Sequence, residues 1–366
     1  MATKTHGASY LASNARRLAR SPAAGSRQGV VVTGVVMPSG ALSDEPTRTL
    51  GWAESTLRSL AVQDYLVFAY ALMLNLAVAA APPGPVHERC ALRVGGLMLL
   101  ITLTLVSVRG RLLPGAFLPA LIYRVGVYGT VQISYFFFRE LLPLVNPRSL
   151  DHGLHALGLG LFGAEPALSF DAWVNSTTTE WFAFFYFGYF FVLATHVLPI
   201  LFLGKDKRLL NEFTFGLLFM FCVGHTLYTV VPGYGPFRAI AGEFRHRLPD
   251  GLWLNVVMET VAEGGAQKDI FPSLHTCAPT FIALYSFRHR ALPPYRYTWP
   301  VVFFFAANII LATMFLRWHW VVDVVVGLAL AVTSLVVSVK VTDFELARRA
   351  REALMPVWPA FTSRAR

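Results

Sequence analysis

Apolar stretches of nearly twenty residues recur along this chain, and that feature constrains its fold more than any other. Crossing the hydrocarbon core of a bilayer takes about 20 residues of α-helix, because each backbone N–H and C=O must find its partner inside the segment. Stretches of this kind lie at about 65–82, 94–108, 113–137, 180–203, 211–231, 273–288, 299–317 and 320–339. They predict an all-α, polytopic integral membrane protein with about eight transmembrane helices. Composition agrees, since only 14% of residues are charged, against roughly 25% in soluble domains.

Charge sets the orientation. Arg109 and Arg111, then Lys205, Lys207 and Arg208, then Arg288, Arg290 and Arg296 fall in alternate short loops, and the C-terminal tail is Arg-rich. The positive-inside rule puts these loops and both termini in the cytosol. The expected organisation is a polar basic tail over 1–55, a membrane domain over 56–343 and a basic cytosolic tail over 344–366. Two longer segments, about 138–179 and 232–272, then lie on the other side. The net charge of +10 is scattered through loops and tails rather than gathered among aromatics, so nucleic acid is not the expected partner. Cys90, Cys222 and Cys277 show no motif spacing, which argues against a disulfide framework or a thiolate metal site.

Three short motifs arrive at the non-cytosolic face. In Asp269–Pro279, DIFPSLHTCAP, Pro272 and Ser273 open a helix and place His275 one turn inside its N-terminus, where free amides favour an anion. In Trp318–Gly327, WHWVVDVVVG, His319 and Asp323 share a helix face at i, i+4. The carboxylate can accept from one imidazole nitrogen and leave the other nucleophilic. In Tyr228–Arg238, YTVVPGYGPFR, a Gly- and Pro-punctuated turn delivers Arg238, whose guanidinium suits phosphate oxygens. Each motif also has a plainer explanation: a Ser-capped helix, an aromatic belt with Arg317 at its edge, a turn with a boundary arginine.

Taken in order, Arg238, then Pro272-Ser273-Leu274-His275, then His319 through Asp323 resemble the type 2 phosphatidic acid phosphatase superfamily, which also contains vanadium haloperoxidases. The resemblance covers roughly 180–340 and would give a six-helix phosphatase-like core. In detail it is similar to the branch of fungal inositol phosphorylceramide synthases, through Pro232–Pro236, Phe271–His275, Trp320 and, more weakly, Leu161–Phe170. Two places depart from the superfamily pattern. Ala312 and Thr313 stand where it has serine and arginine, and the lysine of its first motif has no counterpart.

The resemblance implies a lipid phosphotransferase or phosphatase acting through a phosphohistidine. His319 would be the nucleophile, Asp323 its orienting group and His275 the general acid and base. Arg238, Ser273 and Arg317 would hold the phosphate. The partners implied are a lipid phosphate or phospholipid and an alcohol acceptor, or water for a plain phosphatase. No cofactor, no metal and no obligate protein partner are expected, although His275, His319 and Asp323 are competent metal ligands. A proton-linked transporter, with His196, His225, His319 and Asp323 as relay groups, and a lipid-binding pseudoenzyme stay open. The Ala- and Arg-rich composition fits a bacterial inner membrane with the site facing the periplasm.

Overall fold

The computed structural model describes residues 51–362. The expected tail over 1–55 therefore lies almost wholly outside the described residues. Thirteen α-helices and two single 3-10 turns account for the regular structure, with no strand among the described residues. A short α1 (Trp52–Ser59) leads into α2 (Val62–Ala79), α3 (Pro85–Arg109) and α4 (Phe117–Val145). Two small helices follow, α5 (Asp151–Phe162) and α6 (Pro166–Phe170). Then come α7 (Ser176–Leu203), α8 (Lys207–Val230), the one-turn α9 (Pro236–Ala239) and α10 (Leu252–Gly264). The chain closes with α11 (Leu274–Arg288), α12 (Tyr295–Phe315) and α13 (Val321–Arg351).

Six of these, α2, α3, α7, α8, α12 and α13, are long and apolar enough to cross a membrane. The other two expected spans form helices as well but miss that measure: α11 has only 15 residues, and α4 carries Arg124, Arg139 and Glu140 among its apolar residues. The apolar perimeter fits a lipid setting, with Leu92 80% and Leu203 74% exposed.

The helix starts are chemically marked. Asp206 caps α8 by accepting from the N–H groups of Arg208 at 2.8 Å and Leu209 at 3.0 Å, and Asn175 caps α7 by accepting from Thr178 N–H at 3.0 Å. The helix α11 is the hub, packed against α7, α8, α12 and α13. Its N-terminus lies at the end of the bundle where α8 stops and where α12 hands over to α13, called here the site end.

The opposite end is sealed by buried charge. Arg109 and Asp64, both fully buried, pair through Nε–Oδ2 at 2.7 Å, and the guanidinium lies 4.4 Å from the Tyr123 ring centroid. Arg124 donates to the carbonyls of Leu201 at 2.7 Å and Pro359 at 2.8 Å, which is how a guanidinium is housed inside an apolar bundle. Glu212, wholly buried, accepts from Arg208 at 3.1 Å, Arg288 at 3.2 Å and His289 at 3.0 Å.

Part of the segment expected as a tail over 344–366 is folded. Helix α13 runs on to Arg351, and residues 355–361 fold back under the bundle. Arg109 donates to the carbonyls of Pro356 at 3.3 Å and Val357 at 3.0 Å. Trp358, 5% exposed, meets Tyr123 edge-on at 4.9 Å. Their own apolar composition, VWPAF, explains why these residues bury rather than trail into solvent.

Candidate active site

At the site end the start of α13 is built by its own aspartate. Asp323 Oδ2 accepts from Trp320 N–H at 2.9 Å, satisfying an amide the helix cannot pair. The same oxygen stands 3.6 Å from His319 Nδ1. A nearer partner for Nδ1 is the Ile270 carbonyl, at 3.0 Å. The direct imidazole–carboxylate hydrogen bond expected from the i, i+4 spacing is thus replaced by a backbone acceptor, with the carboxylate alongside. Because a carbonyl can only accept, Nδ1 carries a proton, and in the neutral ring Nε2 then presents its lone pair. His319 is 4% exposed and Asp323 fully buried.

His275 occupies the first turn of α11. Its ring is sandwiched between Tyr186, at 4.4 Å and 9° from parallel, and Tyr189, at 4.2 Å. The two histidine rings are 6.4 Å apart, centroid to centroid. His275 Nε2 is buried with no partner among the described residues, as is Asp323 Oδ1.

Ser273, fully buried, accepts on Oγ from Thr276 N–H at 3.2 Å and donates its own N–H to the Asp323 carbonyl at 3.0 Å. The start of α11 is thereby clamped to the start of α13. One turn further on, Gly327 lets the helices touch, since a Cβ there would come within 2.6 Å of the Ser273 carbonyl.

The turn that carries Arg238 is pressed onto the His319 loop. Gly235 has φ +86°, and a Cβ on it would lie 2.2 Å from the Trp318 carbonyl, so only glycine fits. Two residues later Phe237 N–H donates to the Arg317 carbonyl at 2.8 Å. Arg238 itself is exposed, its guanidinium 3.9 Å from the Tyr234 ring centroid, with no carboxylate partner among the described residues.

Arg317, expected among the phosphate-binding residues, is paired with Asp171. Its Nη2 donates to Asp171 at 2.9 Å and to the His246 carbonyl at 2.7 Å. Burial alone would raise the Asp171 carboxyl, but the N–H groups of Arg245 and His246, the His246 ring and Arg317 hold it below the usual carboxylate range. Thr313 brings no cation in place of the superfamily arginine. Its carbonyl instead receives the N–H groups of Trp318 at 3.0 Å and His319 at 3.2 Å, fixing the loop.

Sequence reasoning missed several residues that shape this end. Asp151 is buried and accepts from the N–H groups of Tyr234 and Gly235, both at 2.8 Å, and from the Trp320 indole at 3.0 Å. One carboxylate thus fixes both the Arg238 turn and the residue after His319. Lys268 Nζ donates to the carbonyls of Asn146, Pro147 and Arg148 at 3.0, 3.2 and 2.7 Å, and burial lowers its ammonium pKa. Asp269 accepts from the Tyr135 hydroxyl at 2.8 Å, and burial raises its carboxyl above the ordinary range. Glu165, 3% exposed, is pushed up to about 7, first by burial and further by Asp323. In sequence, the one available hint was an acid in a polar segment flanked by apolar residues, at Asp151 and Glu165.

Among the described residues no cluster of three or more His, Cys, Asp or Glu side chains has the geometry of a metal site. Chemically, the arrangement offers two imidazoles, an exposed guanidinium, and amides at the N-terminus of α11.

Comparison with known proteins gives one result. Residues 160–337 match the family model described as the PAP2 superfamily. The matched segment holds Arg238, Ser273, His275, Arg317, His319 and Asp323, and leaves Asp151 and α1 to α4 outside. It supports a phosphatase-type activity in general. No curated protein and no solved structure matches the chain.

Proposed function

From the PAP2 superfamily match over 160–337, we propose that this protein is a membrane-embedded enzyme that transfers a phosphoryl group from a lipid phosphate or phospholipid, with His319 as the covalent carrier. The observation that carries the reading is the pairing of His319, held by the Ile270 carbonyl at 3.0 Å, with His275 one ring away at 6.4 Å.

In the first half-reaction the Nε2 lone pair of His319 forms a bond to phosphorus. The bond from phosphorus to the lipid oxygen breaks, and His275 gives that oxygen a proton. The imidazole of His319 becomes cationic as it is phosphorylated, and Asp323 at 3.6 Å stabilises that charge. In the second half-reaction an oxygen nucleophile attacks phosphorus, passes its proton to His275 and releases His319. Arg238 and the amides following Ser273 stabilise the equatorial oxygens. Arg317 we assign to positioning, since its pairing with Asp171 steadies the loop that ends at His319.

With an alcohol as the second nucleophile the enzyme is a phosphotransferase like the inositol phosphorylceramide synthases, and with water it is a lipid phosphate phosphatase. The likeness of Pro232–Pro236, Phe271–His275 and Trp320 to that branch favours the transferase. Eight crossings with both termini cytosolic would set the site at the non-cytosolic face, the periplasmic face of a bacterial inner membrane.

The test is turnover by the purified full chain in lipid vesicles, across diacylglycerol phosphate, isoprenoid phosphates and phosphatidylinositol, with and without an alcohol acceptor. Phosphoryl release or transfer that falls by about 10²-fold or more in His275→Ala is the expected result. No turnover across that panel would overturn the proposal.

A further inference from the structure

Three consecutive residues ahead of α11 are each tied to partners distant in sequence. Lys268 Nζ donates to the carbonyls of Asn146, Pro147 and Arg148, the residues that follow α4. The Lys268 carbonyl accepts from Gly233 N–H at 3.3 Å. Asp269 Oδ2 accepts from the hydroxyl of Tyr135, on α4, at 2.8 Å. The Ile270 side chain is buried in a cluster with Leu154, Trp320 and Val322, and its carbonyl accepts from His319 Nδ1 at 3.0 Å. The strap 268–270 thus runs from α4 and its exit to the His319 ring.

No regular element supports this strap. It lies between α10, which ends at Gly264, and α11, which starts at Leu274. Gln267, just ahead of it, sits in the left-handed region at φ +65°, where a residue other than glycine is strained. Its placement therefore depends on its anchors. A carbonyl orients an imidazole only as well as it is itself held, and reacting groups moved by about 1 Å lose on the order of 10²-fold in rate. The anchor at Asp269 is a carboxyl group that burial penalises, and Tyr135 is the side-chain donor that holds it. A loop that needed only covering would be served as well by an apolar side chain there. The Tyr135 ring is fixed in turn, 5.9 Å from the His225 ring at 28° and edge-on to Phe138 at 6.2 Å. Tyr135 and residues 146–148 all lie outside the segment that matches the PAP2 superfamily.

We propose that Tyr135 and Asp269 are positioning residues for His319, their hydroxyl–carboxylate bond holding the Ile270 carbonyl that sets the imidazole ring. The inference rests on the proposed role of His319. It adds that α4, outside the superfamily segment, is required for a competent nucleophile.

The experiment reads the Ile270–His319 separation by dipolar dephasing in the full chain in lipid vesicles, with carbon-13 at the isoleucine carbonyls and nitrogen-15 in the histidine rings. His319→Gln identifies the signal. The 3.0 Å hydrogen bond and a carbonyl of ~1.23 Å put the two labelled nuclei at most about 4.2 Å apart. We expect dephasing at that separation in wild type and its loss in folded Tyr135→Phe and Asp269→Leu. These two variants should also lower kcat for a lipid phosphate by about 10- to 10²-fold, with KM little changed. Asp269→Asn, whose amide oxygen can still accept from Tyr135, should keep about tenfold more kcat than Asp269→Leu. Thermal midpoints recorded alongside identify any loss of fold, and Tyr135→Phe, which removes a single hydroxyl, keeps the test valid if Asp269→Leu does not fold. A short separation retained in folded Tyr135→Phe would overturn the proposal, as would a long one in wild type or an unchanged kcat in a variant that has lost it. The separation is read without turnover. A short separation that the variants lose, in a chain that turns over no lipid phosphate, therefore fails the proposed activity alone. Turnover with a separation indifferent to Tyr135 fails the positioning role alone.

Discussion

The two ends of the bundle bury ionisable groups differently, although Trp358 Nε1, Ser286 Oγ and Thr342 Oγ1 at the first end also lack a partner among the described residues. At the end closed by residues 355–361, the buried charges are paired: Arg109 with Asp64, Arg349 with Glu345, and Glu212 with Arg208, Arg288 and His289. At the site end, His275 Nε2, Asp323 Oδ1, Glu165 Oε2, Arg317 Nε and Trp318 Nε1 are buried with no partner among the described residues. A paired buried charge is costly to break, because its partner is left stranded. An unpaired buried group costs stability, so a polar site that keeps several of them is a candidate place for a bound partner. The contrast separates buried polarity that holds the helices together from buried polarity that meets a substrate.

Substitutions at the two ends should therefore diverge in their readout. His275→Ala should lower the turnover of a lipid phosphate by about 10²–10⁴-fold, the range for a lost general acid and base. Its denaturation midpoint in detergent should stay the same or rise, and a large fall would class His275 with the structural residues. Asp64→Ala, at the other end, should cost roughly 3–5 kcal/mol of stability by stranding Arg109. The fraction that stays folded should keep near wild-type turnover. Thermal unfolding followed beside activity at matched folded fractions distinguishes the two cases.

Asp151→Asn tests the boundary between the classes. This residue is saturated by Tyr234, Gly235 and Trp320, yet it braces the Arg238 turn against the His319 loop. A small misplacement of reacting groups costs on the order of 10²-fold in rate, so kcat should fall by about that factor. Arg238→Lys, which keeps the positive charge but loses the fork, should act mainly through KM.

The smallest effect concerns pH. Burial holds Glu165 protonated up to about 7 in the folded protein, while the unfolded chain releases that proton near ~4.3. The folded state therefore binds the extra proton between these values, and stability falls as pH rises through the window. The loss, roughly 1–3 kcal/mol, should vanish in Glu165→Gln, which should be the more stable protein above pH 7. A pH-independent difference between the two would contradict the raised carboxyl.

Much of this was legible in the chain itself. All eight expected apolar stretches correspond to helices, because length and hydrophobicity act locally. Ser273, His275, His319 and Asp323 converge because a helix start and an i, i+4 pair are also local features. The pairing of Arg317 with Asp171 was not legible, because the two lie 146 residues apart. Asp151 and the carbonyl partners of Lys268 were not legible for the same reason, their contacts spanning 83 to 169 residues through loops without periodicity. The docking of residues 355–361 depends on Arg109 and Arg124, two arginines whose burial no local pattern announces.

The central claim is that His319 carries the phosphoryl group, and trapping the phosphoenzyme by quenching in alkaline detergent tests it most directly. The wild-type chain and His319→Ala would be mixed with lipid phosphate labelled at phosphorus, quenched within the first turnovers and examined for acid-labile, base-stable protein-bound label. The account predicts such label on wild type, on His319, and none on the variant. Equal label in His319→Ala, or turnover by wild type without any trapped phosphoenzyme while the variant remains active, would contradict it.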